Sequence, residues 1–143
     1  MIKICANSIS FRHLDIEAFI RQVAAWGLDC IDFNLSHFTS REPEYLRRVK
    51  LASLRAGLPI GYIGVSGGFV GDEATQRAQV ARAREAIDVA AYIGAPLIRV
   101  FAGSPPPEAE VWEPYFAPLV ACMREVADYG AGKGVFVALQ NHD

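Results

Sequence analysis

The stretch YIGAPLIRVFAG, residues 92–103, shows the junction on which the fold depends. A helical tail ends at Gly94, and Pro96 then opens an apolar strand. A glycine just past a helix suits the left-handed backbone of that position, and a proline is tolerated where a strand begins. The same succession recurs in three further stretches, AWGLDCIDFN (25–34), RAGLPIGYIGV (55–65) and GKGVFVALQN (132–141). The sequence therefore predicts four helix-to-strand junctions.

Together with an opening strand, these junctions predict five strands and four intervening helices. We expect the strands at residues 2–7, 28–34, 59–66, 96–102 and 134–140. Apolar residues recur at helical spacing between them, with Asp15 as the N-cap of the first helix and with Ser40 and Asp72 preceding the second and third. The fourth apolar stripe contains Trp112 and Phe116, which we expect to be buried in the core, as is Trp26. Because the strands are nearly continuous apolar runs, we predict an α/β fold with a parallel sheet.

Two architectures fit this pattern. A flavodoxin-like doubly wound sheet is complete with five strands, whereas a (β/α)₈ barrel needs about 250 residues. The length of 143 residues, taken alone, favours the doubly wound sheet. The stretch after the first strand, ANSISFRHLD (6–15), contains no glycine for a phosphate-binding turn and does not support that fold. On these observations both architectures stay open.

Composition limits the class of protein. Hydrophobic residues make up 52% and charged residues 21%, which is typical of one globular domain over residues 1–143. The net charge of −2 offers no basic field for a nucleic-acid backbone, and no apolar run approaches a membrane span. Cys5, Cys30 and Cys122 are widely spaced in apolar runs, so we expect buried free thiols. We therefore expect a cytoplasmic protein without a nucleic-acid or membrane partner.

Polar residues follow the apolar strands at their carboxyl ends, where chemistry gathers in both architectures. The five ends are Asn7 with its successor and the segments 34–37, 66–68, 102–104 and 140–142. Ordinary turn chemistry explains the serines, glycines and asparagines there. It explains His37, Gln140 and His142 less well, so these ends contain the candidate site residues.

The stretches WGLDCIDF (26–33), GAPLIRVFAGSPPP (94–107) and GVFVALQNHD (134–143) resemble the xylose isomerase-like superfamily of sugar phosphate isomerases and epimerases. The resemblance covers essentially the whole chain, and the LQNH ending is its most specific part. It implies a partial (β/α)₈ TIM barrel, of which this chain is the N-terminal part. It also implies a divalent metal, Mn, Mg, Co or Zn, at the carboxyl face of the complete fold.

In that family the fifth strand usually ends in Glu-Asn-His, and the glutamate binds the metal. Gln140 stands at this position, so the resemblance makes it the metal residue. An amide oxygen lacks charge, and the family's other ligands come from strands six to eight. We therefore expect this chain alone to bind metal weakly or not at all.

The remaining candidates have less specific support. By strand parity His142 points the same way as Gln140 and is the candidate acid or base, with Asn141 between them as a substrate-binding residue. Asn7, His37 and Ser66 are further candidates for substrate binding at the strand ends, although a loop histidine is more often only solvated. The mid-strand Arg99 either binds an anionic group of the substrate or pairs with a residue such as Asp32.

Three functions remain. The first is metal-dependent isomerisation or epimerisation of a sugar or polyol in the complete barrel, with this chain weakly active or inactive. The second is a non-catalytic binding or assembly module derived from the barrel. The third, an endonuclease IV-like phosphodiester hydrolase, ranks below both because the chain is acidic. Since five strands cannot close a barrel, we also expect a homo-oligomer in which strand edges or open faces meet.

Overall fold

The computed structural model describes residues 2–105 and 111–141, and this part of the chain forms one parallel sheet flanked by helices. The strands are β1 (Cys5–Asn7), β2 (Cys30–Asn34), β3 (Ile60–Gly64), β4 (Leu97–Phe101) and β5 (Phe136–Gln140). The helices are α1 (Ile16–Ala25), α2 (Pro43–Arg55), α3 (Glu73–Ile93) and α4 (Glu113–Lys133). Each strand pairs with the next along the chain. This is the predicted order, and it excludes the doubly wound alternative, whose strand order reverses.

The helix boundaries follow from the capping residues. Asp15 Oδ1 accepts a hydrogen bond from Ala18 N at 2.7 Å, and Asp72 Oδ1 accepts one from Thr75 N at 2.8 Å. The N-cap prediction for Asp15 is therefore confirmed, and Asp72 caps α3 in the same way. The N-cap of α2 is Glu42 rather than Ser40, and its side chain makes no cap hydrogen bond. The four junction glycines all have left-handed backbones with φ between 69° and 90°, as predicted: Gly27, Gly57, Gly94 and Gly134. Each helix therefore ends where the next strand has to begin.

The helices cover one face of the sheet. The strand residues that point toward them are fully buried: Ile31, Phe33, Ile63, Ile98 and Val100. Their neighbours Arg99 and Phe101 in β4 point the other way and are only partly buried. Sequential parallel strands joined by right-handed crossovers place every helix on the same side. This is barrel winding, and the fold is a partial (β/α)₈ TIM barrel, as the resemblance implied.

The prediction of three free thiols is wrong for two of the cysteines. Cys5 and Cys30 form a disulfide, whereas Cys122 is free and buried. The cause is strand register, because Cys5 lies directly opposite Cys30 in the β1–β2 ladder, with Cα atoms 4.5 Å apart. Sequence spacing alone does not reveal such a neighbour. The disulfide joins the first strand of the sheet to the second.

The prediction that the tryptophans and the first aromatic residues of α4 belong to the core is also wrong. Trp26 is 46% exposed, Trp112 45% and Phe116 63%. The helical period identified the spacing of the apolar residues but not what covers them: the first aromatic residues of α4 are exposed, whereas Leu119, Cys122 and Val126 further along are buried. In the part of the chain described, no helix is long and apolar enough to cross a membrane.

Candidate functional site

A cavity of about 440 Å³ opens at the carboxyl ends of β4 and β5. It is lined by Phe101, Ala102, Gly103, Ser104, Trp112, Gln140 and Asn141. Phe101 and Gln140 are partners in the β4–β5 ladder, so the register places them side by side at the sheet edge. The cavity combines two aromatic rings with two amides and a hydroxyl. That combination suits a small polyol, which presents both apolar and hydroxyl faces.

One wall of the cavity depends on a close contact between two loops. Phe69 N and Val70 N donate to Ala102 O at 2.7 and 3.2 Å, so the loop after β3 is held against the loop after β4. A Cβ atom on Gly68 would overlap the backbone of Gly103, and Gly103 itself has a left-handed φ of 96°. Glycine is therefore required at both positions. Ordinary turn chemistry, which we expected for residues 66–68, does not reveal this contact.

Trp112 is the site residue that the sequence analysis missed. We assigned it to the core, yet its half-exposed ring lines the cavity beside Gln140. Its position at the start of α4 could have indicated this role. Residues at helix starts after barrel strands lie on the carboxyl face, so an aromatic residue there is available to a ligand.

Two asparagines organise the opposite part of the same face. Asn7 Oδ1 accepts from Ile9 N at 2.9 Å, and Asn34 Oδ1 accepts from Ser36 N at 3.0 Å, so each fixes the turn after its strand. Their amide nitrogens reach β3 and the residues just after it. Asn7 Nδ2 donates to Tyr62 Oη at 2.9 Å, and Asn34 Nδ2 donates to Ser66 Oγ at 3.4 Å. The predicted residues Asn7 and Ser66 thus each take part in a side-chain hydrogen bond at the carboxyl face.

Asp32 is a buried carboxylate on the inner face of β2, one residue before the buried Phe33. Its Oδ1 accepts a hydrogen bond from Tyr62 N at 3.2 Å. Burial raises the pKa of Asp32 to about 6, although the Tyr62 N–H and the Arg99 guanidinium both act to lower it. The barrel interior therefore contains a carboxyl group that titrates near neutral pH, which sequence reasoning considered only as a partner for Arg99.

Arg99 lies beneath the cavity rather than in its lining. Its Cζ is 4.2 Å from the ring centroid of Phe101 and 5.7 Å from that of Tyr62. Nε and Nη1 are buried, with no hydrogen-bond partner in the part of the chain described. Among the same residues, no Arg99–Asp32 ion pair forms within 4.0 Å, although the two charges do interact. Its assignment to substrate binding stays a prediction.

The other predicted residues are divided between separate regions. Gln140 and Asn141 line the cavity, whereas His142 lies outside the described residues. His37 is only 5% exposed, and its Nε2 lies 2.9 Å from Leu14 O, which makes Nε2 the donor. It lines a different cavity, on the α1 side of the face, together with residues such as Arg12 and Arg48. The structure therefore does not bring His37 to Gln140.

The residues at the cavity do not fit a divalent metal by themselves. The described lining offers amide, hydroxyl and backbone oxygens but no carboxylate or imidazole. Across residues 2–105 and 111–141, no group of three or more His, Cys, Asp or Glu side chains could hold a metal ion. A hard cation requires several oxygen ligands, and carboxylates supply most of the affinity. The expectation of weak binding by this chain alone remains a prediction.

Comparisons with known proteins agree on the fold. The sequence profile of the family described as xylose isomerase-like TIM barrel matches residues 20–143. No curated protein matches the sequence. Among solved structures, a xylose isomerase domain protein from Planctomyces limnophilus is 20% identical, with a TM-score of 0.73 over 85% of this chain and 47% of that one.

Two epimerase structures are similar to a comparable degree. A D-psicose 3-epimerase from Clostridium cellulolyticum H10, solved with D-tagatose, is 16% identical, with a TM-score of 0.79 over 96% of this chain and 52% of that one. A 3-keto-D-glucoside 4-epimerase from E. coli is 19% identical, with a TM-score of 0.79 over 97% and 56%. The chain thus spans about half the length of these structures. At such identity the likeness establishes the fold alone.

Proposed function

The chain belongs to the xylose isomerase-like TIM barrel family, and on that basis we propose that it forms the sugar-binding N-terminal part of an isomerase or epimerase. The observation that carries this proposal is the cavity at the carboxyl ends of β4 and β5, where Gln140 faces Trp112. The reaction would move a proton on a carbon next to the carbonyl group of an aldose or ketose. We propose residues 1–143 as a single domain within that barrel.

The described residues account for binding and orientation. The Trp112 ring offers an apolar face to the C–H groups of a sugar, and the Gln140 and Asn141 amides can donate to and accept from its hydroxyl groups. Ser104 adds a hydroxyl at the same wall. Proton transfer needs a group beyond this set, and His142 is the predicted acid or base. A complete metal site would likewise need donors from outside the described residues.

Sugar binding tests the proposal directly. Calorimetry with D-tagatose should detect a complex with the wild-type chain, and Gln140→Ala should weaken it about tenfold because two hydrogen bonds are lost. The matched control is Gln22→Ala, on the exposed side of α1, which should leave the affinity unchanged. If neither D-tagatose nor other ketohexoses bind the wild-type chain, the sugar-binding proposal fails.

The metal prediction has its own test at Gln140. We expect titration of the wild-type chain with Mn²⁺ to give weak or no binding, whereas Gln140→Glu should bind measurably more tightly because a carboxylate adds charge. Micromolar, stoichiometric binding by the wild type would contradict the prediction, unless the missing ligands come from a second subunit. Equal metal affinity in both proteins would remove residue 140 from the metal site.

We also propose a homo-oligomer and a cytoplasmic location. Ile4, just before β1, is 60% exposed, and Phe136 and Leu139 in β5 are 77% and 52% exposed, which supports contact between copies. Sedimentation at micromolar concentration tests this, and a soluble monomer that binds no hydrophobic dye would defeat it. Cell fractionation, with thiols blocked before lysis, tests the location and the redox state of the Cys5–Cys30 pair together.

A non-catalytic module is the second candidate, and the amide at Gln140 favours it. Such a module would bind sugar and associate with other chains, but metal would not change the sugar affinity. Repeating the D-tagatose titration with and without Mn²⁺ separates the two candidates. A metal-dependent increase in sugar affinity supports the enzyme, and equal affinities support the module.

A further inference from the structure

Tyr62 has a position that strand alternation alone does not predict. Ile31 pairs with Ile60, but two residues later Phe33 pairs with Ile63, so β3 carries one extra residue opposite Asp32. In a regular ladder Tyr62 would pair with Phe33 and point toward the helices. The bulge gives that core position to Ile63, which is fully buried, and turns Tyr62 to the inner face.

Asp32 and Gly61 hold the bulge in place. The Tyr62 N–H donates to Asp32 Oδ1 at 3.2 Å, so a side-chain oxygen of β2 accepts it where the ladder is irregular. The carboxylate lies so close to β3 that a Cβ on Gly61 would overlap Asp32 Oδ1. Glycine at position 61 and an oxygen acceptor at position 32 are therefore both needed for this backbone path.

The Tyr62 hydroxyl reaches the carboxyl face and keeps one free donor there. It accepts a hydrogen bond from Asn7 Nδ2 at 2.9 Å, and Asn7 is the last residue of β1. An amide nitrogen only donates, so the phenol proton is not used in this contact. Within residues 2–105 and 111–141, no other group accepts that proton.

We propose that Tyr62 is a substrate-binding residue that donates its hydroxyl proton to an oxygen of the bound sugar, and that Asp32 positions it through the β3 bulge. This inference rests on the proposed sugar-binding function and extends the site from β5 to the β1–β3 side of the barrel mouth. A neutral hydroxyl donor suits a carbonyl or hydroxyl oxygen. The ligand it indicates is therefore a ketose or polyol.

Tyrosine-to-phenylalanine substitutions test the binding role. Tyr62→Phe removes the donor and keeps the ring, and we expect about tenfold weaker D-tagatose binding in calorimetry. The matched control is Tyr92→Phe on α3, whose hydroxyl donates to Pro43 O at 3.0 Å, and its affinity should equal that of the wild type. Equal D-tagatose affinity in Tyr62→Phe and wild type, with binding intact, overturns this inference alone. Absence of binding by the wild type overturns the proposed function and this inference with it.

Substitutions at Asp32 test the positioning role. Asp32→Asn keeps an oxygen acceptor for Tyr62 N and should bind D-tagatose within about twofold of wild type, whereas Asp32→Leu should lose as much affinity as Tyr62→Phe. The double variant, Asp32→Leu with Tyr62→Phe, should lose no more D-tagatose affinity than Tyr62→Phe alone, because both changes remove the same interaction with the sugar. Additive losses would overturn the positioning role. If Asp32→Leu does not fold, Gly61→Ala disturbs the same contact and replaces it in the comparison.

Discussion

Replacing Asp32 with asparagine should make the protein more stable at neutral pH, and much of the gain should vanish in mild acid. Burial raises the pKa of Asp32 from 3.8 to about 6. A carboxyl group with a raised pKa contributes stability below 3.8, and this contribution is lost as the pH rises through 6. A shift of about two units corresponds to about 3 kcal/mol. Asparagine stays neutral at every pH and can still accept the Tyr62 N–H.

Urea denaturation at two pH values measures this effect. From about pH 4.5 to about pH 7.5, the stability advantage of Asp32→Asn over the wild type should grow by about 2 kcal/mol, by linkage for a single group. Other carboxylates change the stability of both proteins equally and cancel in the difference. Asp128→Asn, on the exposed side of α4, is the matched control and should show no such growth.

A constant or shrinking advantage would refute the reasoning. It would mean that Arg99 stabilises the ionised Asp32 by at least as much as burial costs, so that the two side chains act as an ion pair despite their separation. In that case Arg99→Met should restore a pH-dependent advantage of Asp32→Asn, because burial alone would then act on the carboxyl group. The same pair of measurements therefore decides whether the barrel interior carries an uncompensated charge.

Three further predictions concern stability and the shape of the site. Gly68→Ala should destabilise the protein by about 2 kcal/mol or more, because its Cβ would meet the backbone of Gly103. Gly132→Ala in α4 should be tolerated, and the melting temperatures of the two variants test the difference. Reducing the Cys5–Cys30 disulfide should lower the free energy of unfolding by about 3 kcal/mol for a 25-residue separation, and Cys5→Ser should be insensitive to reductant. In a Trp26→Phe background, D-tagatose should change the fluorescence of Trp112, and an unchanged spectrum at saturation would remove Trp112 from the site.

The sheet could be predicted from sequence because its signals are local. The glycine after each helix and the apolar run after each glycine lie next to each other, so the junctions at Gly57 and Gly94 could be read directly. The strand order depended on the family resemblance, since length alone favoured the wrong architecture. Strand limits were less accurate, and the 3-residue β1 covers half of its predicted range because Ile2–Ile4 extend beyond its pairing partner.

The site could be predicted only in part, because several of its residues depend on non-local contacts. Gln140 and Asn141 follow from the position of a strand end, and both line the cavity. The orientation of Tyr62 depends on a bulge that one extra residue creates opposite Asp32. The apolar pattern of β3 does not predict this bulge. The Cys5–Cys30 bond likewise depends on register. The helical period placed Trp112 on the apolar stripe of α4 but could not show that its ring is half exposed.

The sequential strand order also leaves β5 at an edge of the sheet. Among the described residues β5 pairs only with β4, and Phe136, Leu139 and Gln140 are exposed along it. Amide hydrogens on this strand should therefore exchange with solvent through a local opening that leaves β2 and β3 closed. Because Gln140 belongs to this edge strand, a ligand or a second chain that covers β5 must also supply the free energy that orders it. Binding at the cavity and folding of the sheet edge are thus coupled equilibria.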